Sequence, residues 1–317
     1  MSRRACAGGL RKFVATFLAV SCTLGASSAF AADKFGNIWL NASLNMHGDD
    51  IYGSVEFKKS GITLDCEGGS IIYVNEFDSP ARCLDSDNHA QSCAVSSRGF
   101  DNITVKNCNI RNSGPSSFMY GIYVSGTSSK LLSTPQLFSN NIEGMNGSGI
   151  YLNFTSTAWV DKCWSTGNVV DGATVLNSTE TGITNGYFEE NGSSGIYEGN
   201  GFNNSFEVNS MSDNVHGFYS ADSTGRTYLY RNSFFHNTFS GISFNHVTGF
   251  TVDGPNGVYG GNVTLYGIRV VGGSKGGIIR NSTAIESVTC DAQQSSTSTS
   301  ISWTGNTFTK RCNVPVQ

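Results

Sequence analysis

Short runs in which apolar and polar residues alternate recur along most of the chain, each opened by a glycine. They read GIYV at 121–124, GIYL at 149–152, GIYE at 195–198, GFYS at 217–220, GISF at 241–244 and GIRV at 267–270. From Gly195 to Gly267 the steps are 22, 24 and 26 residues. Alternation with a period of two marks a strand with one buried face. In GIYL, Ile150 and Leu152 are predicted to point inward and Tyr151 outward. A unit this short cannot bury its own apolar side, so successive units must stack, and the repeat predicts a solenoid.

The repeat extends upstream of each glycine. NGYFEEN at 185–191, NSMSDN at 209–214 and NSFFHN at 232–237 share a polar start, a buried apolar residue and a polar pair ending in Asn. Looser versions are ITVKNCNI at 103–110, LFSNNI at 137–142 and VDKCW at 160–164. Asn tolerates the left-handed backbone of tight turns, and Asn191, Asn214 and Asn237 are expected to stack as a ladder. Helix is excluded by the glycine content and by the lack of sustained i, i+3, i+4 apolar spacing. The fold class is therefore all-β, in a single domain.

The sequence GITLDCEGGSI at 61–71, followed by NITVKNCNI at 102–110 and the Gly-Ile-Tyr phrases, resembles the right-handed parallel β-helix proteins of the pectin-lyase-like superfamily over residues 36–290. The resemblance implies a right-handed parallel β-helix over 61–290, with eight to ten coils by the repeat spacing. Residues 32–60 are expected to form an N-terminal cap and 291–317 a C-terminal one. Members of that superfamily include polysaccharide lyases, glycoside hydrolases, uronate epimerases, phage tailspikes and non-catalytic periplasmic proteins. The Asn-Thr-Asp, Asp-Asp and Gly-His-Gly set of polygalacturonases and the Asp-Pro-His-Asp motif of mannuronan epimerases are not found here. No family catalytic residue carries over, and fold alone assigns no activity.

Residues 1–31 read as a cleaved secretory leader. Arg3, Arg4, Arg11 and Lys12 precede the apolar stretch 13–24, and Ala29-Phe30-Ala31 is a small-x-small cleavage site. Export, to the periplasm or beyond, from a bacterial cell is the expected localisation. The chain has 20 basic and 24 acidic residues; the leader holds four basic and no acidic ones, which leaves 16 against 24, a net charge of −8. No basic stripe is present, which argues against nucleic acid as a partner. Seven of the nine cysteines follow the leader, and export permits disulfides. Cys83 and Cys93 bracket a polar loop, Cys290 and Cys312 bracket the Ser/Thr-rich tail, and Cys66 and Cys108 fall at similar points of successive coils. Those are the expected pairs, with Cys163 left over. The cysteine and histidine spacings do not form a metal-ligand motif. A cofactor is not required by the sequence, although a calcium ion is compatible with it.

Candidate chemistry falls in two rows. The outward position of the Gly-Ile strand carries Tyr123, Tyr151, Tyr197, Tyr219, Ser243 and Arg269, suited to stacking on sugar rings. Asp222, Arg226 and His246 follow these strands in loops. For β-elimination, Arg226 or Arg269 would neutralise a uronate carboxylate and Tyr219 or His246 would take the α-proton. The second row is Glu190, Asp213 and His236 in the preceding turn, where two carboxylates on adjacent coils suit glycosidic hydrolysis. The expected function is an exported, monomeric polysaccharide-active enzyme, a lyase, hydrolase or epimerase. The alternative is a non-catalytic glycan-binding or cell-envelope protein.

Overall fold

A computed structural model of the chain describes residues 33–73, 81–84, 89–112 and 118–315; the expected leader lies outside the described residues. Every regular element among them is a strand. One coil shows the plan. Gly182–Thr184 lies on a first face, Tyr187–Glu189 on a second and Ser194–Gly199 on a third. The next coil repeats this at Ser205–Glu207, Ser210–Ser212 and His216–Ala221. Coil-to-coil ladders are parallel, and the whole is a right-handed parallel β-solenoid. The first face has 11 strands, from Leu44–Asn45 to Ser302–Thr304. The molecule therefore has about 11 turns rather than eight to ten, because the ladder continues at both ends beyond the recognisable phrases.

Register places like residues on like residues. Phe188 pairs with Met211 and Met211 with Phe234 on the second face. Ile196, Phe218, Ile242 and Ile268 form the inner column of the third. All seven are fully buried, each contributing about 1.5–3 kcal/mol of burial free energy. The phrase-opening glycines have a steric cause. A Cβ on Gly195 would stand 2.7 Å from the carbonyl oxygen of Gly217 in the next coil, and one on Gly217 would stand 2.6 Å from that of Gly241.

Corners are turned by single left-handed residues, in one coil Asn185, Glu190 and Asn200 with φ of 53°, 55° and 51°. The expected ladder forms. Asn191 donates from Nδ2 to Oδ1 of Asn214 at 3.0 Å, and Asn214 does the same to Asn237 at 3.1 Å. Each Oδ1 also accepts from the backbone N–H of the preceding rung, so buried turn amides are satisfied from side chains. A second ladder, Asn209–Asn232–Asn256, runs beside the second face.

The bonded cysteine pairs are Cys66–Cys108, Cys83–Cys93 and Cys290–Cys312, and Cys163 is free and buried. No helix among the described residues is long and apolar enough to cross a membrane.

Candidate functional site

The outer side of the third face carries two parallel columns. In the first, Tyr123, Tyr151, Thr174, Tyr197, Tyr219, Ser243 and Arg269 lie in register on successive rungs. Six of these were expected from the repeat. Thr174 was not, because its coil reads Gly172-Ala173-Thr174-Val175 and lacks the Ile-Tyr pair. The second column is the residue before each glycine, including Ser194, His216, Ser240 and Tyr266, also in register. Ser148 and Asp171 hold the same place in earlier coils. Reading each phrase from its glycine onward hides this column, although a polar or aromatic residue precedes nearly every one.

The first column is not uniformly open. Tyr123 and Tyr151 stack with centroids 5.3 Å apart and are only 3% and 5% exposed. They pack with Tyr120 and the Cys83–Cys93 pair, which joins the strand Ala81–Leu84 to the antiparallel strand Ala90–Arg98. The tyrosines do point away from the core, as period two demands, but a disulfide-tethered hairpin covers them.

Beyond this cover the surface becomes ionisable. Asp171 is buried, accepting from Thr174 Oγ1 at 2.8 Å and from the Ser194 N–H at 2.9 Å. Burial pushes its pKa up. Tyr197 lies against Tyr219 with centroids 5.6 Å apart; burial, then Tyr219 and Asp171 nearby, raises its phenol. His216 stacks on Tyr219 at 4.9 Å and 21°, and its Nδ1 shares a 2.7 Å hydrogen bond with Ser240 Oγ. Burial, helped by the positive charge of Arg269, holds this imidazole down at about 4. It is therefore neutral at physiological pH. The Tyr219 hydroxyl accepts from Asn245 Nδ2 at 3.2 Å. Arg269 lies 5.2 Å and 5.4 Å over the Phe239 and Tyr266 rings and donates from Nε to Gln293 Oε1 at 3.0 Å. Between Tyr219 and Arg269, the buried Ser243 hydroxyl has no hydrogen-bond partner among the described residues. From Asp171 to Arg269 the strip spans four rung steps, roughly 19 Å.

The other expected residues lie around this face. Asp222 and His246 form the corner where the third face ends, 3.8 Å apart and more than 60% exposed. Arg226 is carried away to the first face, its guanidinium 4.6 Å over Tyr228. Glu190, Asp213 and His236 occupy the corner before the third face, all left-handed. Asp213 and His236 approach to 3.8 Å and are about half exposed. The Asn191–Asn214–Asn237 ladder separates this row from the third-face columns.

The chain is a right-handed parallel β-solenoid whose structural neighbours are pectin-lyase-like β-helix proteins. Within that class, residues 42–246 match the family described as periplasmic copper-binding protein (NosD), and the chain belongs to that family. No curated protein sequence matches it. Among solved structures it is similar to the A-module of mannuronan C-5 epimerase AlgE4 from Azotobacter vinelandii, at 12% identity and a TM-score of 0.57, covering 89% of this chain and 88% of that one. A mutant of the periplasmic alginate epimerase AlgG matches at 14% identity and a TM-score of 0.54, covering 88% and 74%. The Dettilon tailspike protein matches at 12% and 0.52; the similarity covers 86% of this chain but 61% of the tailspike chain. At these identities the likeness is one of fold.

Among the described residues the donor set does not fit copper, which takes imidazole and soft sulfur ligands. Among the described residues no three His, Cys, Asp or Glu side chains converge. Met46, Met145 and Met211 are core residues and Met119 packs against the Cys83–Cys93 cluster, three cysteine pairs are disulfides, and burial pushes the Cys163 thiol up to about 11. His47, His236 and His246 each meet a single carboxylate, and His216 meets a serine.

Proposed function

We propose that this protein is a periplasmic, glycan-active β-helix that performs proton-transfer chemistry on a uronate-containing polysaccharide along its third face. The observation that carries the reading is His216 stacked on Tyr219, with Arg269 two rungs along the same face. The α-hydrogen of a uronate becomes removable when a cation neutralises its carboxylate, and Arg269 supplies one. His216, unprotonated at neutral pH, accepts that proton. Tyr219 then donates its phenolic proton. Delivered to the leaving glycosidic oxygen, this completes β-elimination: the C5–H and C4–O bonds break and a C4–C5 double bond forms. A proton delivered instead from water to the opposite face of C5 completes epimerisation. Similar folds in an alginate epimerase and a mannuronan epimerase support the substrate class. Three disulfides, the family's periplasmic description and the leader-like first 31 residues support the compartment.

The test incubates the full chain with alginate, polygalacturonate and hyaluronate. It follows ultraviolet absorbance for unsaturated ends, reducing ends for cleavage, and deuterium uptake at C5 for epimerisation. Unsaturation or deuterium uptake that His216→Gln and Arg269→Ala each reduce by at least about 100-fold, the scale of a lost general base, is the expected result. Reducing ends without unsaturation would instead place hydrolysis on Glu190 and Asp213. Binding without any of the three signals would leave a glycan-binding module.

A further inference from the structure

The first and second faces, on either side of the corner at Lys162, present aromatic rings to solvent. Trp159 opens the strand Trp159–Asp161 and Trp164 opens Trp164–Thr166 in the same coil; they are 44% and 48% exposed. Tyr187, the register partner of Trp164 one rung on, is 51% exposed. Exposed aromatics on a surface built mostly from Ser, Thr and Asn call for a reason.

The rings are held in place. Trp159 lies over Gly182 of the next coil, where a Cβ would stand 2.7 Å from two of its ring carbons; the missing side chain is the seat. Trp164 packs on Tyr187 with centroids 5.6 Å apart and planes at 36°. Between the two tryptophans the chain turns through left-handed Lys162. Its ammonium is exposed and forms no ion pair among the described residues. Beside it, Asp161 fixes Thr184 Oγ1 and Asn185 Nδ2 at 2.9 Å and 2.7 Å. Val160 and Ile183, the aliphatic side chains of the first-face strands here, are buried, as is Phe188. What faces outward is therefore aromatic rings framed by hydroxyl, amide and charged groups.

From this geometry we propose that the Trp159–Trp164–Tyr187 corner is a second glycan-binding surface, separate from the third face. Its rings take the C–H faces of pyranose units, and Lys162 takes a sugar carboxylate or hydroxyl. Rungs stand about 4.8 Å apart, close to the advance of a linear glycan per sugar, so Trp164 and Tyr187 address successive units. The surface would tether a long polymer whose other segment lies on the third face, raising its local concentration there. The inference rests on the reading of the protein as glycan-active.

The test measures binding by affinity electrophoresis in gels containing sodium alginate, polygalacturonate or hyaluronate, using the full chain. Removing rings in Trp159→Ala, Trp164→Ala and Tyr187→Ser should weaken binding of the polymer recognised by the wild type by roughly 3- to 10-fold each. Turnover of short oligosaccharides should be unchanged. Arg269→Ala should show the converse, loss of turnover with the corner's share of polymer binding kept. Wild-type binding that the double Trp variant retains in full would overturn the corner while leaving the third face standing. A wild type that sediments as a dimer, with the double variant a monomer, would also overturn it by making the rings a self-association surface. No binding of any polymer by the wild type would overturn the glycan reading itself.

Discussion

At the scale of single residues, the chemistry concentrates where the repeat pattern is most easily cut short. His216 precedes its glycine by one place, so a phrase defined from the glycine onward leaves it out, whereas Tyr197, Tyr219 and Arg269 fall inside it. Its environment has a pH consequence. Burial holds the folded imidazole at about 4, below the 6.5 of a free one, so protonation favours the unfolded chain. The stability this contributes is complete above pH 6.5 and is lost as pH falls toward 4, by at most roughly 3 kcal/mol. His216→Gln should remove that part of the acid-side decline, read as melting temperature against pH. Glu198 has the opposite sign. It points inward beside Tyr197, fully buried, accepting from Ser220 Oγ at 2.6 Å and from Thr227 Oγ1 and Asn204 Nδ2 at 2.8 Å. Burial raises its pKa, so its stabilising share is present below about 4.5 and declines as pH rises through the higher folded value. Glu198→Gln should melt at or above the wild type at pH 7, with the gap closing on acidification. Glu198→Ala, which strands three buried donors, should cost about 1–3 kcal/mol.

At the scale of elements, strand polarity and the Asn191–Asn214–Asn237 ladder were legible because each coil repeats them in identical positions. The second ladder was not, for a specific reason. Its column runs through the residue just before each second-face strand, and that residue is Gly69, Cys108, Asn140, Cys163, Gly186, Asn209, Asn232, Asn256, Ser282 and Asn306 in turn. A half-cystine, a thiol, glycines and a serine interrupt the asparagines, so the sequence shows fragments. The free thiol is thus a substitute ladder member. Asn140 Nδ2 reaches Cys163 Sγ at 3.8 Å and Cys163 Sγ reaches the Leu137 carbonyl at 3.6 Å, both longer than the 2.8 Å that Asn232 Nδ2 makes to Phe206 O. Cys163→Asn should restore the shorter pattern and raise stability by about 1 kcal/mol, measured by denaturant unfolding. A lower midpoint would mean that the column has no room for the amide.

At the scale of the whole molecule, a solenoid is nearly one-dimensional and each coil leans only on its neighbours. Its ends are where unravelling begins, and two disulfides stand there: Cys66–Cys108 across early coils and Cys290–Cys312 across the last. Reduction should lower the melting temperature, each bond being worth about 2–4 kcal/mol. Hydrogen exchange should speed up first in the terminal coils, while strands such as Ser194–Gly199 stay protected. The covered stretch at Tyr123 and Tyr151 was not legible, because the hairpin that covers it comes from a segment outside the repeat. The coil itself sets a unit of length. Asp161, Thr184, Glu207, Tyr230 and Asp253 follow one another at 23-residue intervals in unbroken register, and the longer step of 27 from Asp253 to Arg280 takes up its extra residues at glycine-rich corners. Losing one residue from a strand would turn its inner side chains outward, whereas gaining or losing a full turn would slide one half of the molecule along the axis with every column intact. The third face is in this sense a ruler graduated in turns, and evolution can alter its reach by whole graduations without redrawing the marks.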